Sequence, residues 1–214
     1  MIQAVSSDRA RASRLGMLDK FKGHAEVLKW KLRGRPLPPP HALKVDVISQ
    51  TAHRFGCNTL VETGTYLGDM IARTRHLFER QYTIEVDPRL HANACVRFQA
   101  DLAISVLLGD SAKEMPRILS QLTTPAVFWL DGHYSGGETG KGALETPVCT
   151  EVDLILKHSV QTHAILIDDA RLFNGTGDYP TLSAFRQQLL QLNATYHFSV
   201  ENDIIRFLPQ VAGA

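Results

Sequence analysis

The stretch NTLVETGTYLGD, residues 58–69, sets an apolar run of strand length against two closely spaced glycines. Leu60 and Val61 sit in a run too short for a helix. Gly64 and Gly68 then allow the chain to turn with a positive φ before a new helix starts. Backbone amides of such a turn can face a ligand at the helix N-terminus.

The same texture recurs downstream. YTIEV, ISVLLG, AVFWLD and HAILID are short apolar runs, and helical stretches begin near Gly68, Pro88, Ala112 and Thr146, with another near Pro180. Near-continuous apolar strands alternating with helices predict a parallel sheet covered on both faces. The last two runs, YHFSV and DIIRFL, are separated only by Glu201 and Asn202, so they form a hairpin and the final strand is antiparallel.

Upstream, Leu15, Leu18, Phe21, Ala25, Leu28 and Leu32 fall near helical spacing, which predicts an amphipathic helix over about 7–32. RGRPLPPPH ends it, because proline cannot continue a helix. A second helix is expected from His41 to about Phe55, with Leu43, Val47, Ile48 and Ala52 on one side. The organisation expected is an N-terminal segment over 1–40, serving as lid or dimer contact, and one α/β domain over 41–214.

With 214 residues, 44% hydrophobic and 21% charged, the chain suits a single globular domain. Its net charge of +1 gives no reason to expect a nucleic-acid partner. Residues 1–35 nevertheless hold nine Lys/Arg against three Asp/Glu. Three cysteines without CxxC spacing argue against a disulfide framework or a thiolate zinc site and fit a reducing cytoplasm. No window is apolar for long enough to span a membrane.

LDGHYSGGETGKG, residues 130–142, imitates a phosphate-binding P-loop. That motif needs its first glycine at position 135 and a hydroxyl at 142, and the chain has Ser135 and Gly142. The loop therefore covers the carboxyl end of the fourth strand, where open α/β sheets bind ligands.

Acids collect at the strand ends. Glu85 or Asp87 closes the second run and could bind both ribose hydroxyls, Asp110 and Ser111 follow the third, Asp131 the fourth, and Asp168-Asp169 the fifth. Asp87 before Pro88 also suits a helix cap, as Asp110 does. Converging carboxylates would repel one another, so a hard cation such as Mg²⁺, or protonation, must relieve them. A paired acid can equally be turn chemistry. His133, two residues beyond Asp131, is the candidate general base for a hydroxyl.

These motifs, in this order, resemble class I S-adenosylmethionine-dependent methyltransferases over roughly 58–208. Within that class they are similar to metal-dependent O-methyltransferases of the catechol and macrocin types. The resemblance implies a Rossmann-like seven-stranded sheet of order 3-2-1-4-5-7-6. It places the cofactor against Glu62, Thr63, Gly64, Thr65, Tyr66, Gly68 and Asp69, with the ribose at Glu85 and Val86, the adenine at Asp110 and Ser111, and Asp131 beside it. It implies Mg²⁺ on Asp131, Asp168 and Asp169, and acceptor contacts from His133, Tyr134, Lys141 and Arg171. Two positions depart from the pattern: Tyr66 stands where a glycine is usual, and Tyr134 where the catechol enzymes carry a lysine base. The expected function is methyl transfer to a hydroxyl of a sugar or small natural product. The alternatives are a nicotinamide-dependent oxidoreductase, which the missing G-x-G-x-x-G spacing disfavours, a non-catalytic nucleoside-binding protein, and metal-dependent hydrolysis at the same acids.

Overall fold

The computed structural model describes residues 22–132 and 146–210. These fall into two compact units, the first ending at Asp46 and the second beginning at Val47. In the first unit a helix, α1, is described over residues 22–32. It closes on a turn in which the Trp30 indole donates to the Pro36 carbonyl at 2.7 Å, so the proline run leaves the helix with a fixed exit. Helix α2, His41–Phe55, crosses from one unit to the next and has the bounds read from its periodicity.

The second unit alternates strand and helix as its hydrophobic runs demand. β1 (Thr59–Thr63), β2 (Arg80–Glu85), β3 (Ile104–Leu108), β4 (Ala126–Leu130) and β5 (Ala164–Ile167) are linked by α3 (Asp69–Thr74), α4 (Pro88–Phe98), α5 (Ser111–Leu119) and α6 (Val148–Leu156). After β5 come α7 (Leu182–Leu192) and the hairpin of β6 (Tyr196–Glu201) and β7 (Ile204–Pro209). The sheet order is β3-β2-β1-β4-β5-β7-β6, parallel through β5, with β7 antiparallel to both of its neighbours.

The hairpin turn lies one residue later than the spacing predicts. Glu201 stays in the ladder opposite Ile204. Asn202 and Asp203 turn instead, with φ of 54° and 63°. Short polar side chains tolerate the left-handed backbone of such a turn better than glutamate does.

Strand alternation sends Val61, Tyr82, Ile84, Phe128, Ile165 and Phe207 to one face, where they form one buried cluster with Met115 and Ile118 of α5, Val152 and Ile155 of α6, and Phe185 and Leu189 of α7. Residues of opposite parity, including Leu60, Val127, Trp129 and Leu166, are just as buried on the other face. β4 therefore has no polar residue anywhere along its length.

At the amino end of β5 a histidine is locked in one protonation state. His163 is 1% exposed, and its Nδ1 accepts the Ala126 amide at 3.1 Å, so its Nε2 carries the hydrogen and donates to His158 Nδ1 at 2.9 Å. Burial, and next the neighbouring His158, push its pKa down to about 4. The unfolded chain takes up this proton near pH 6.5, so stability is full above that value and falls as the pH drops towards 4, by at most about 3 kcal/mol. Urea unfolding of the wild type should show this loss between pH 7 and 4.5, and His163→Gln should show a shallower dependence over the same window.

Candidate functional site

Parallel hydrogen bonding continues past the strand ends and fixes where their acids sit. The Asp131 amide donates to the Thr63 carbonyl at 3.1 Å, and the Asp168 amide to the Leu130 carbonyl at 3.0 Å. Both aspartates are thus held at the carboxyl edge of the sheet, as their place behind apolar runs predicts.

The turn after β1 lies against that edge. At Gly64, with φ 82°, a Cβ would come within 2.5 Å of the Asp131 carbonyl oxygen. At Gly68 it would meet the Phe98 ring at 2.7 Å. The middle position departs from glycine yet keeps glycine's geometry. Tyr66 takes φ 49°, a left-handed backbone that costs a residue with a Cβ roughly 1–2 kcal/mol, and its side chain is about half exposed.

The amides of this turn are directed inward. Gly64 and Thr65 donate to the Ile84 carbonyl, Tyr66 to Glu85 Oε2 at 2.7 Å, and Gly68 to the Thr65 carbonyl. Gly64, Thr65 and Tyr66 thus spend their amides on β2, and Gly68 spends its own within the turn. Glu85, 4% exposed, also accepts the Asp87 amide on Oε1 at 2.9 Å. Each carboxylate oxygen can accept more than one hydrogen bond, so Glu85 keeps lone pairs for two hydroxyls. Asp87 itself caps α4 by accepting the Arg89 and Leu90 amides. Half-buried Val86 lies between these two acids.

Glu62 is 2% exposed and accepts the Thr83 hydroxyl at 2.6 Å. With that proton committed, the 2.6 Å contact between Thr65 and Thr83 is donated by Thr65. Burial raises the Glu62 pKa well above the ordinary carboxylate value, the Thr83 bond opposes this, and the charges of Asp131 and Glu85 add to the rise. Those charges also put Glu62 within electrostatic reach of both strand ends. Asp69 pairs with Arg97 at 2.7 Å, and the same guanidinium holds the Leu67 carbonyl. Asp110 caps α5 by accepting the Ala112 amide, and Ser111 is buried at the start of that helix.

Of the three acids expected to hold a metal, Asp131 and Asp168 line one cleft, together with Thr146, Glu151 and Tyr179. Asp169 is paired with Arg171. Its Oδ1 accepts Arg171 Nη1 at 2.6 Å, and the same nitrogen donates to Asp203 in the β6–β7 turn. Asp203 also accepts the Arg171 amide at 2.8 Å on its carboxylate and the Ala170 amide on its carbonyl. The hairpin tip thereby clamps the segment after β5. Arg171 supplies Asp169 with the positive charge that an ion would otherwise bring. Among the described residues, no three His, Cys, Asp or Glu side chains are gathered so as to hold a metal ion. These residues do not fit the three-aspartate centre. Arg171, expected to touch an acceptor, is engaged in this clamp. His133, Tyr134 and Lys141 lie outside the described residues.

The least anticipated member of the site is Glu151. It is 1% exposed in the first turn of α6, and its Oε1 has no hydrogen-bond partner among the described residues. Burial pushes its pKa up to about 7, opposed by the Ser111 and Thr63 hydroxyls and reinforced by Asp110. The Thr63 hydroxyl, itself without a hydrogen-bond partner among the described residues, is close enough to act on the charge. A trace of this was present in the sequence. Val148, Val152 and Ile155 mark the buried face of α6, and Glu151 occupies the same face. Tyr179, whose pKa burial lifts to about 12, also feels the charges of Asp169, Asp131 and Glu151.

The sequence matches no family model and no curated protein. Solved structures share its fold. The O-methyltransferase TomG from Streptomyces achromogenes, involved in tomaymycin synthesis and solved with S-adenosylmethionine, is 14% identical with a TM-score of 0.54 over 88% of this chain and 89% of that one. An O-methyltransferase from Bacillus cereus, solved with S-adenosylhomocysteine, is 17% identical with a TM-score of 0.55 over 87% and 90%. The Podospora anserina methyltransferase PaMTH1, also solved with S-adenosylhomocysteine, is 16% identical with a TM-score of 0.52 over 94% and 96%.

Gly64→Ala should destabilise the chain by about 2 kcal/mol or more, because the left-handed backbone and the Asp131 carbonyl both oppose a Cβ. Gly56→Ala, with φ 62° and nothing within 4 Å of its Cβ, should lose only the backbone part. Equal losses in the two variants, measured by urea unfolding, would remove the close approach as a constraint. At these identities the likeness is one of architecture: the chain has the Rossmann-like seven-stranded fold of S-adenosylmethionine-dependent methyltransferases.

Proposed function

We propose that this protein transfers a methyl group from S-adenosylmethionine to a hydroxyl of a sugar or other small natural product. The observation that carries the reading is the grouping, at one sheet edge, of a left-handed turn after β1, an acid with spare lone pairs at the end of β2, and an acid-lined cleft between β4 and β5. Fold likeness to structures solved with the methyl donor or its product supports it.

The donor supplies an electrophilic methyl on a sulfonium centre. Glu85 accepts hydrogen bonds from the ribose hydroxyls, Asp110 and Ser111 flank the adenine, and the 62–69 turn carries the methionine end. The acceptor enters beside Asp131 and Asp168, where the chain's contribution is alignment of the attacking oxygen. In this reading His133 takes the acceptor proton, and Tyr134 and Lys141 contact the acceptor. No step is routed through a metal here, because Asp169 is tied to Arg171 in the clamp.

Calorimetry should give binding of S-adenosylmethionine and none of NAD, and Glu85→Ala should weaken the former by about tenfold or more. Binding of NAD in place of S-adenosylmethionine would transfer the site to oxidoreductase chemistry. With labelled donor and a panel of hydroxylated acceptors, methylated product should form at a rate unchanged by chelator. A rate abolished by chelator and restored by Mg²⁺ would reinstate the metal centre.

A further inference from the structure

The cleft between β4 and β5 has an unusual chemical bias. Among the described residues its polar lining is Asp131, Thr146, Glu151, Asp168 and Tyr179, five side chains that bring oxygen. Three of the five are carboxyls. Their shared field is evident at Tyr179, where the charges of Asp131 and Glu151 both disfavour the phenolate. The innermost group, Glu151, is 1% exposed and keeps an oxygen with no hydrogen-bond partner among the described residues. A buried acceptor left unmatched costs about 1–3 kcal/mol, so such an atom marks a place where a ligand completes the structure. The enclosed floor has room for about one water-sized group.

We infer that this cleft binds a protonated amine of the acceptor, with Glu151 as the carboxyl that receives it, so that the substrate is an amino-bearing hydroxyl compound, not an anionic one. The inference rests on the methyltransferase reading and narrows it. An ammonium group carries three donors and no acceptor, the complement of an all-oxygen lining. It is compact enough for the floor, whereas a carboxylate or phosphate would bring only acceptors to the unmatched acceptor of Glu151. An amine seated there would hold a neighbouring hydroxyl next to Gly132, whose Cα approaches the Gly64 turn: a Cβ at Gly64 would lie 3.2 Å from it. The amine thereby serves as the handle and the hydroxyl as the reacting group. Glu151 is a binding residue in this account and takes no part in methyl transfer itself.

The test uses the full chain saturated with S-adenosylhomocysteine and follows thermal unfolding in methylammonium chloride, sodium acetate or magnesium chloride at constant ionic strength. Methylammonium should raise Tm by roughly 2–4 °C near saturation, and acetate and magnesium should not. Glu151→Gln should abolish the methylammonium shift while keeping the shift caused by S-adenosylhomocysteine, which also reports that the variant folds. Asp168→Asn, made independently, should reduce it. An acetate shift of equal size, a magnesium shift that Glu151→Gln removes, or a methylammonium shift that survives Glu151→Gln would overturn the inference. So would a methylammonium shift seen only without S-adenosylhomocysteine, since the cleft would then belong to the methyl donor's own amine. A wild-type chain that responds to methylammonium but not to S-adenosylhomocysteine refutes the methyl-donor reading and upholds the ammonium site.

Discussion

The contact between Gly64 and the Asp131 carbonyl is the constraint from which the site is built. No side chain fits between the turn after β1 and the end of β4. The two backbones therefore meet directly, and everything attached to them inherits a fixed spacing. On the β1 side this sets Glu62, the Thr65–Thr83 hydroxyl pair and the Tyr66 amide on Glu85. On the β4 side it sets Asp131 beside the cleft that Glu151 and Asp168 share. In the proposed reaction, donor and acceptor would then lie on either side of one glycine, as an in-line transfer requires.

Electrostatics then distinguishes acids that are otherwise alike. Glu85 is met by two backbone amides and Asp169 by a guanidinium, so each has a built-in partner. Glu62 and Glu151 are buried without a cation, and burial moves their proton affinity upward. One sheet edge thus holds carboxyls met by amides or a guanidinium and, among the described residues, buried carboxyls that are not.

Much of this was legible from residue order alone. The strands, the exact bounds of α2, the Asp87 cap and the placement of Asp131 and Asp168 follow from periodicity and from helix-start chemistry, which are local properties. What was not legible depends on contacts between distant segments. Asp203 reads as a turn residue, and only the antiparallel insertion of β7 beside β5 brings it to Arg171, the partner of Asp169. Glu151 lies twenty residues from Asp131 in sequence, and only the packing of α6 against the sheet joins them. Tyr66 is a different case. Its residue type argues against a left-handed turn, and the surrounding hydrogen bonds impose one nonetheless.

The order of strands at the far edge also governs when the protein can become whole. β6 is synthesised before β7 yet lies outside it, so among the described strands its neighbour is the one that follows it in the chain. Until that strand leaves the ribosome, β5 presents a bare edge and β6 has nothing to pair with. The clamp on Asp169 comes with the same hairpin. Assembly of the acidic rim therefore waits on the β6–β7 hairpin, whose tip brings Asp203 to Arg171.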